Sequence, residues 1–186
     1  MISLIDRQAL VKSLVRPGSV GAEIGVYRGD FSKEIYALCQ PKMLYLIDAW
    51  EKYPEYEKDS LCHTNQDGNY NDTKSQMAHA IKVGRCEVIR GRSHDVAQTW
   101  NKPLDWIFLD SIHVYEFVIS DLRDWSRFIK PGGVIMCHDF TEREAALAMD
   151  FGVVRAVNEF CAEAGWEITH TTQEGDWPSC AIRRKP

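Results

Sequence analysis

S-V-G-A-E-I-G-V-Y-R-G, residues Ser19 to Gly29, joins a short apolar strand to a helix through closely spaced glycines. Gly25 and Gly29 allow the backbone to turn sharply and approach a ligand with no side chain intervening, and Glu23 puts a carboxylate near the carboxyl end of the strand. The acid discriminates between ligands. A dinucleotide needs its pyrophosphate on bare helix amides, where a carboxylate repels it; a cofactor carrying an amino acid brings an ammonium that a carboxylate attracts. The next apolar run, Met43 to Ile47, ends at Asp48, about twenty residues past the glycines, where an acid can accept both ribose hydroxyl protons.

Outward from this βαβ unit, strand-like and helix-like segments alternate. Ile5 to Val15 has helical spacing and stops at Pro17-Gly18, Val20 to Val26 reads as a strand and Asp30 to Cys39 as a helix. Tyr70 to Val83 reads as a helix, Cys86 to Arg90 as a strand, and Ser93 to Trp100 as a short helix capped by Ser93. Trp106 to Asp110 is a buried strand, Val114 to Ile129 an amphipathic helix, and Val134 to Cys137 a strand introduced by Pro131-Gly132-Gly133. Phe140 to Met149 has room for a short helix. Val153 to Ala164 is helical, closed by Gly165, and Trp166 to His170 with Ser179 to Arg183 read as a terminal hairpin. The expected fold is a Rossmann-like α/β three-layer sandwich, its central sheet mainly parallel with an antiparallel terminal strand. Residues 50–71 are too long and polar for an ordinary connection and read as a lid over the ligand.

The 186 residues suit one α/β domain, and 45% hydrophobic content indicates a packed core. A net charge of −5 with both signs interspersed gives no electrostatic footprint for nucleic acid, so a small-molecule substrate is favoured. No signal-peptide pattern or membrane-length apolar run appears, which makes the cytoplasm the expected location. Six scattered cysteines without a CxxC pair argue against a zinc ribbon and read as buried, reduced thiols, with Cys62 the exception in a polar stretch.

Glu23, Gly25, Gly29 and Asp48, followed by L-D-W-I-F-L-D ending at Asp110 and K-P-G-G-V-I-M-C-H-D-F from Lys130, resemble S-adenosylmethionine-dependent methyltransferases of the Rossmann-like class, over roughly Val20 to Phe140. D-S-I-H-V-Y from Asp110, with His138 and Asp139, is similar to a small-molecule O-methyltransferase subgroup that includes macrolide-sugar methylating enzymes, although Ile112 stands where members often carry an acid. The resemblance implies S-adenosylmethionine as cofactor, held by Glu23, Gly25, Val26, Gly29, Asp48, Ala49, Trp50, Arg92, Ser93 and Asp110. Gly91-Arg92-Ser93 stands where the family places adenine, while Ser93 equally suits a helix cap. Trp50 suits either a cover for adenine or an anchor for the long loop.

Asp110, His113, Tyr115, His138 and Asp139 bring carboxylates, imidazoles and a phenol to two adjacent strand ends. Methyl transfer from a sulfonium needs an aligned acceptor and removal of its proton, for which a histidine is suited. His113 is the first choice as general base, against a plain role capping the helix from Val114; His138 is a second proton-handling group. The alternative is metal assistance, with Asp110, His138 and Asp139 holding a divalent ion such as magnesium. A nicotinamide-linked oxidoreductase is disfavoured by Glu23 and the incomplete glycine pattern, and a non-catalytic cofactor-binding accessory protein is the remaining reading.

Overall fold

The computed structural model describes residues 1–53, 58 and 64–186. In chain order the elements are β1 (Ile2–Leu4), α1 (Arg7–Leu14), β2 (Val20–Ile24), α2 (Asp30–Cys39), β3 (Met43–Asp48), α3 (Gln66–Gln76), α4 (Ala78–Lys82), β4 (Cys86–Arg90), α5 (Ser93–Thr99), β5 (Leu104–Leu109), α6 (Tyr115–Trp125), β6 (Ile129–Cys137), α7 (Glu144–Ala148), α8 (Val153–Ala164), β7 (Trp166–Thr172) and β8 (Cys180–Arg184). The strands form one sheet in the order β1-β7-β8-β6-β5-β2-β3-β4. The chain leaves β2 toward β3 and β4, then returns to lay β5 and β6 on the other side of β2. That reversal opens a crevice at the carboxyl ends of β2 and β5, where open α/β sheets bind ligands.

Side-chain alternation splits the core into two layers, because successive residues of a strand face opposite sides. Leu104, Ile107 and Leu109 of β5 join α5, α6 and α8 around Trp125, Phe160 and Trp166. Trp106 and Phe108 of the same strand join α1, α2 and α4 around Leu10, Phe31 and Ile35. Both faces are covered, which is why β3 and β5 read as continuous apolar runs. The expected three-layer α/β architecture is therefore present.

Several boundaries differ from the sequence reading. The long helix expected from Tyr70 breaks at Met77 into α3 and α4, and starts earlier, at Gln66. The helix expected to run to Ile129 stops at Trp125; a 3₁₀ turn, Ser126–Phe128, follows, and Ile129 already belongs to β6. The terminal hairpin forms, but its antiparallel strand is not at the edge. β8 is inserted between β6 and β7, antiparallel to both, and β7 carries a further parallel strand, β1, with Ile2 opposite His170. A three-residue strand with a partner at the far end of the chain has no local signature. Of the expected lid, residues 54–57 and 59–63 lie outside the described residues, and 66–71 are the first turns of α3.

Candidate active site

Every candidate residue of the cleft stands at or just past a strand end. Backbone bonds extend the ladder beyond the strands themselves: Asp110 N donates to Ile24 O (2.8 Å), His138 N to Leu109 O (2.9 Å) and Gly25 N to Ile47 O (2.9 Å). The ends of β2, β3, β5 and β6 are thus held in one row, and the cleft above them measures about 590 Å³. Its walls include Glu23, Gly25, Val26, Asp48, Ala49, Ser93, Asp110, His113, His138 and Asp139. Gly25 has φ +85°, and a Cβ there would lie 2.0 Å from the carbonyl oxygen of Asp110. The close approach that demands glycine is therefore to the neighbouring strand end. Gly29 caps α2 with φ 81° and no side-chain bond, so the first turn of that helix opens beside the cleft.

Asp48 organises the glycine turn. Its Oδ2 accepts the backbone N–H groups of Val26 (2.8 Å) and Tyr27 (3.0 Å), and its Oδ1 accepts that of Trp50 (2.7 Å). Oδ2 has both lone pairs engaged and Oδ1 keeps one, so one ribose hydroxyl can bond to Asp48 directly where the sequence suggested two. Tyr27 and Trp50 both adopt left-handed backbone (φ 56° and 42°), a conformation that non-glycine residues hold only when their surroundings enforce it.

Glu23 is buried, and the Ser32 hydroxyl donates to its Oε2. Burial raises its carboxyl from the ordinary 4.5 to about 8; the Ser32 bond and the Arg7 charge oppose the rise, and the Asp110 and Asp48 charges add to it. Between about pH 4.5 and 8 the folded protein keeps this proton and the unfolded chain releases it. Stability from this group therefore falls as pH rises through that window, by about 1.4 kcal/mol per pH unit. Urea unfolding of the protein and of Glu23→Gln at pH 5, 6 and 7 should show the gap between them shifting in favour of the glutamine variant as pH rises. A constant gap would mean that Glu23 ionises normally.

Asp110, His113, His138 and Asp139 converge, each offering a ligand atom within 4.8 Å of the others. His113 Nε2 hydrogen-bonds Asp110 Oδ1 at 3.2 Å and lies 3.1 Å from Asp139 Oδ2, an ion-pair contact without hydrogen-bond geometry. Its Nδ1 is buried without a hydrogen-bond partner, the ring packing at 4.6 Å on Phe151. Burial opposes a charge on His113, but the Asp110 hydrogen bond and the Asp139 charge outweigh it and raise its pKa. His138 Nδ1 lies 3.3 Å from Asp110 Oδ1 and 2.8 Å from Asp139 Oδ1. The second contact lacks hydrogen-bond geometry, which leaves Asp139 Oδ1 an unpartnered buried acceptor. Burial also works against a charged His138, yet Asp110 and Asp139 carry it up to about 10. In return, against its own burial, the Asp110 carboxyl is held well below the usual range by His138 and His113.

Some expected site residues lie elsewhere or play another part. Trp50 is fully buried, its Nε1 donating to Tyr27 O (2.7 Å) and its ring edge-on to Tyr70. It anchors the turn beneath the cleft and does not cover a ligand, because the left-handed backbone after Asp48 sends its ring inward. Tyr115 leaves the cluster: it opens α6, and its hydroxyl donates to Glu159 on the surface (2.6 Å). Arg92 pairs with Glu51 and stacks on Tyr53, ordering the rim instead of forming the wall. Ser93 does not cap α5; its hydroxyl donates to Asp121 Oδ1 (2.5 Å) and accepts from Trp125 Nε1 (2.8 Å).

Other residues in or behind the cleft carry no signal in the sequence. Asp121 is buried and joins Ser93 to Ser111, whose hydroxyl donates to its Oδ2 (2.7 Å), tying two cleft loops together. Burial raises its carboxyl to about 6 against those two bonds. Phe151 and Trp177, with ring centres 5.7 Å apart, give the cleft an aromatic wall from segments that read only as connections. Arg7 enters from α1.

A doubly wound sheet with an acid and a glycine turn at its switch point, facing a carboxylate–imidazole cluster, defines a cofactor-using α/β enzyme of the Rossmann-like class. The Methyltransferase domain family matches residues 22–140, and the chain belongs to that family. It is an S-adenosylmethionine-dependent methyltransferase. Similar solved structures include a Clostridium thermocellum protein described as an rRNA methylase (TM-score 0.67, 12% identity, covering 96% of this chain and 95% of that one). A Streptococcus mutans protein described as a methyltransferase, solved in complex with S-adenosylhomocysteine (SAH), gives a TM-score of 0.63 at 9% identity, covering 95% and 94%. The pyocyanin biosynthetic protein PhzM gives 0.67 at 12% identity, covering 96% of this chain and 54% of that one.

Proposed function

We propose that this protein transfers a methyl group from S-adenosylmethionine to a hydroxyl oxygen of a small metabolite, such as a sugar, in the cytoplasm. The observation that carries the reading is the cluster of Asp110, His113, His138 and Asp139 at the ends of β5 and β6, open to the cofactor cleft and beside the aromatic wall of Phe151 and Trp177. Asp48 takes one ribose hydroxyl, Glu23 receives the cofactor's ammonium by giving up its proton, and Ser93 stands on the adenine side. The acceptor hydroxyl gives up its proton to water at the open mouth of the cleft, its oxygen attacks the methyl carbon in line, the carbon–sulfur bond breaks, and that bond's electron pair returns to sulfur, leaving the neutral thioether.

Metal assistance is favoured over His113 as a free base, since the nitrogen of His113 directed at the carboxylates is already bonded to Asp110 and its other nitrogen is buried against Phe151. Two carboxylates and two imidazoles around an unpartnered Asp139 Oδ1 form a donor set that fits a divalent ion, and the imidazoles suit manganese as well as magnesium. Asp110, His138 and Asp139 would hold such an ion, which would supply a lowered pKa for the acceptor hydroxyl. His113 would then fix Asp110 through its hydrogen bond and face Asp139 as a charge, with Phe151 packed on its ring.

Similar structures include proteins described as rRNA methylases, which makes RNA the second acceptor class to test. The net charge of −5 and the carboxylates at the reacting end speak for the small acceptor. Mass spectrometry of ligands retained on purification, followed by methyl-transfer assays on hydroxylated metabolites, sugars, bulk tRNA and rRNA, should yield a methylated small molecule. Methylation of RNA with none of the small molecules turned over would overturn the proposal.

A further inference from the structure

The N-terminal β1–α1 unit does more than extend the sheet. Asp6 caps α1, accepting Ala9 N at 2.7 Å, and the helix buries Leu10 and Val11 against the α2 side of the core. This packing points Arg7 into the cleft, with its guanidinium carbon 4.3 Å from the Phe31 ring centre. One nitrogen, Nη1, lies 3.3 Å from His138 Nε2 and 3.8 Å from Asp110 Oδ2, the latter beyond hydrogen-bond reach. Nε and Nη2 meet no acceptor among the described residues. The nearby Glu174 is occupied otherwise, by Arg7's own backbone N–H (2.9 Å) and by the hydroxyls of Thr172 and Ser179 (3.0 Å each). A planar cation stacked on an aromatic ring, with most of its donor fork open to a ligand cleft, has the form of a receptor for a planar anion.

We propose that Arg7 binds a carboxylate inside the cleft. This rests on the methyltransferase reading, which supplies two sources of that group: the amino-acid end of the cofactor, or an acidic substituent of the acceptor beside the hydroxyl at Asp110. In the first case Arg7 and Glu23 read the two charges of one amino acid; in the second the acceptor is a hydroxy acid.

Calorimetry with SAH and with 5′-methylthioadenosine, which shares the nucleoside and thioether but lacks the amino-acid end, separates the cases. If the cofactor is the source, Arg7→Ala weakens SAH at least tenfold and leaves methylthioadenosine within twofold. If the acceptor is the source, SAH is unchanged, but the SAH-loaded protein binds glucuronate better than glucose and Arg7→Ala removes the difference. Arg7→Lys, which keeps the charge without the fork, should fall between, and with Arg7→Gln it carries the test should the alanine variant fail to fold. Unchanged SAH affinity together with an unchanged glucuronate response overturns the assignment of Arg7. Methylthioadenosine and SAH both failing to bind the unaltered protein overturns the cofactor reading itself.

Discussion

Asp110→Ala is expected to lower methyl transfer by roughly a thousandfold or more, the scale for losing the group that orients and activates an acceptor. Asp110 faces His113, His138 and Arg7 at once, so no neighbour takes over its position. The cation scheme adds a readout independent of turnover. Manganese titrated into the unaltered protein and followed by electron paramagnetic resonance should bind, and should not bind Asp110→Ala or Asp139→Ala. Chelation should abolish turnover of the unaltered enzyme and magnesium should restore it. Under that scheme His113→Ala should cost less, about tenfold, because His113 would position Asp110 without acting as the base. Full activity after chelation, with His113→Ala inactive, would return the proton to His113 and defeat the cation scheme.

The difference between the two schemes marks where sequence reading ended. The row Glu23, Gly25, Asp48 and Asp110 is legible because each residue ends or follows an apolar strand bounded by a turn, Glu23 being the next-to-last residue of β2, and parallel strands ending in a row need no more than that pattern. His113 was legible as a member of the cluster but not in its role: the sequence places it three residues after Asp110, while its link to Asp139 depends on the β5–β6 register, Leu109 opposite Cys137. Tyr115 failed for the same reason in reverse, since two further residues carry the chain into α6 and around to the surface. Arg7 was out of reach. Its place depends on β1 pairing with β7, whose partner residues lie some 168 positions away, and on α1 settling over Phe31. Asp121 is similar: on α6 it is one more polar residue of an amphipathic helix, and only the packed fold brings Ser93 and Ser111 to its two oxygens. The fold followed from local periodicity; the electrostatics of the site followed from contacts across the chain.

Asp48→Ala should be costly in two separable ways. Three backbone N–H groups, of Val26, Tyr27 and Trp50, lose the carboxylate that accepts them. Bonds to a charged acceptor contribute about 1.5–3 kcal/mol each when buried, but these N–H groups border an open cleft where water can replace it, so a stability loss of roughly 2–4 kcal/mol is expected. Chemical denaturation measures that loss directly. The strained turns at Tyr27 and Trp50 then lose the bonds that fix their left-handed backbone, and the glycine turn between β2 and α2 loosens where the cofactor would lie. SAH affinity should fall by more than the single remaining ribose bond accounts for, on the order of a hundredfold or beyond. Asp48→Asn sharpens the test. Its amide oxygen can still accept from Val26 and Tyr27, but its NH₂ group then faces the N–H of Trp50, so it should recover part of the stability and little of the affinity. Calorimetry showing native SAH affinity in a folded Asp48→Ala protein would remove Asp48 from the cofactor site and leave it as a brace for the turn alone.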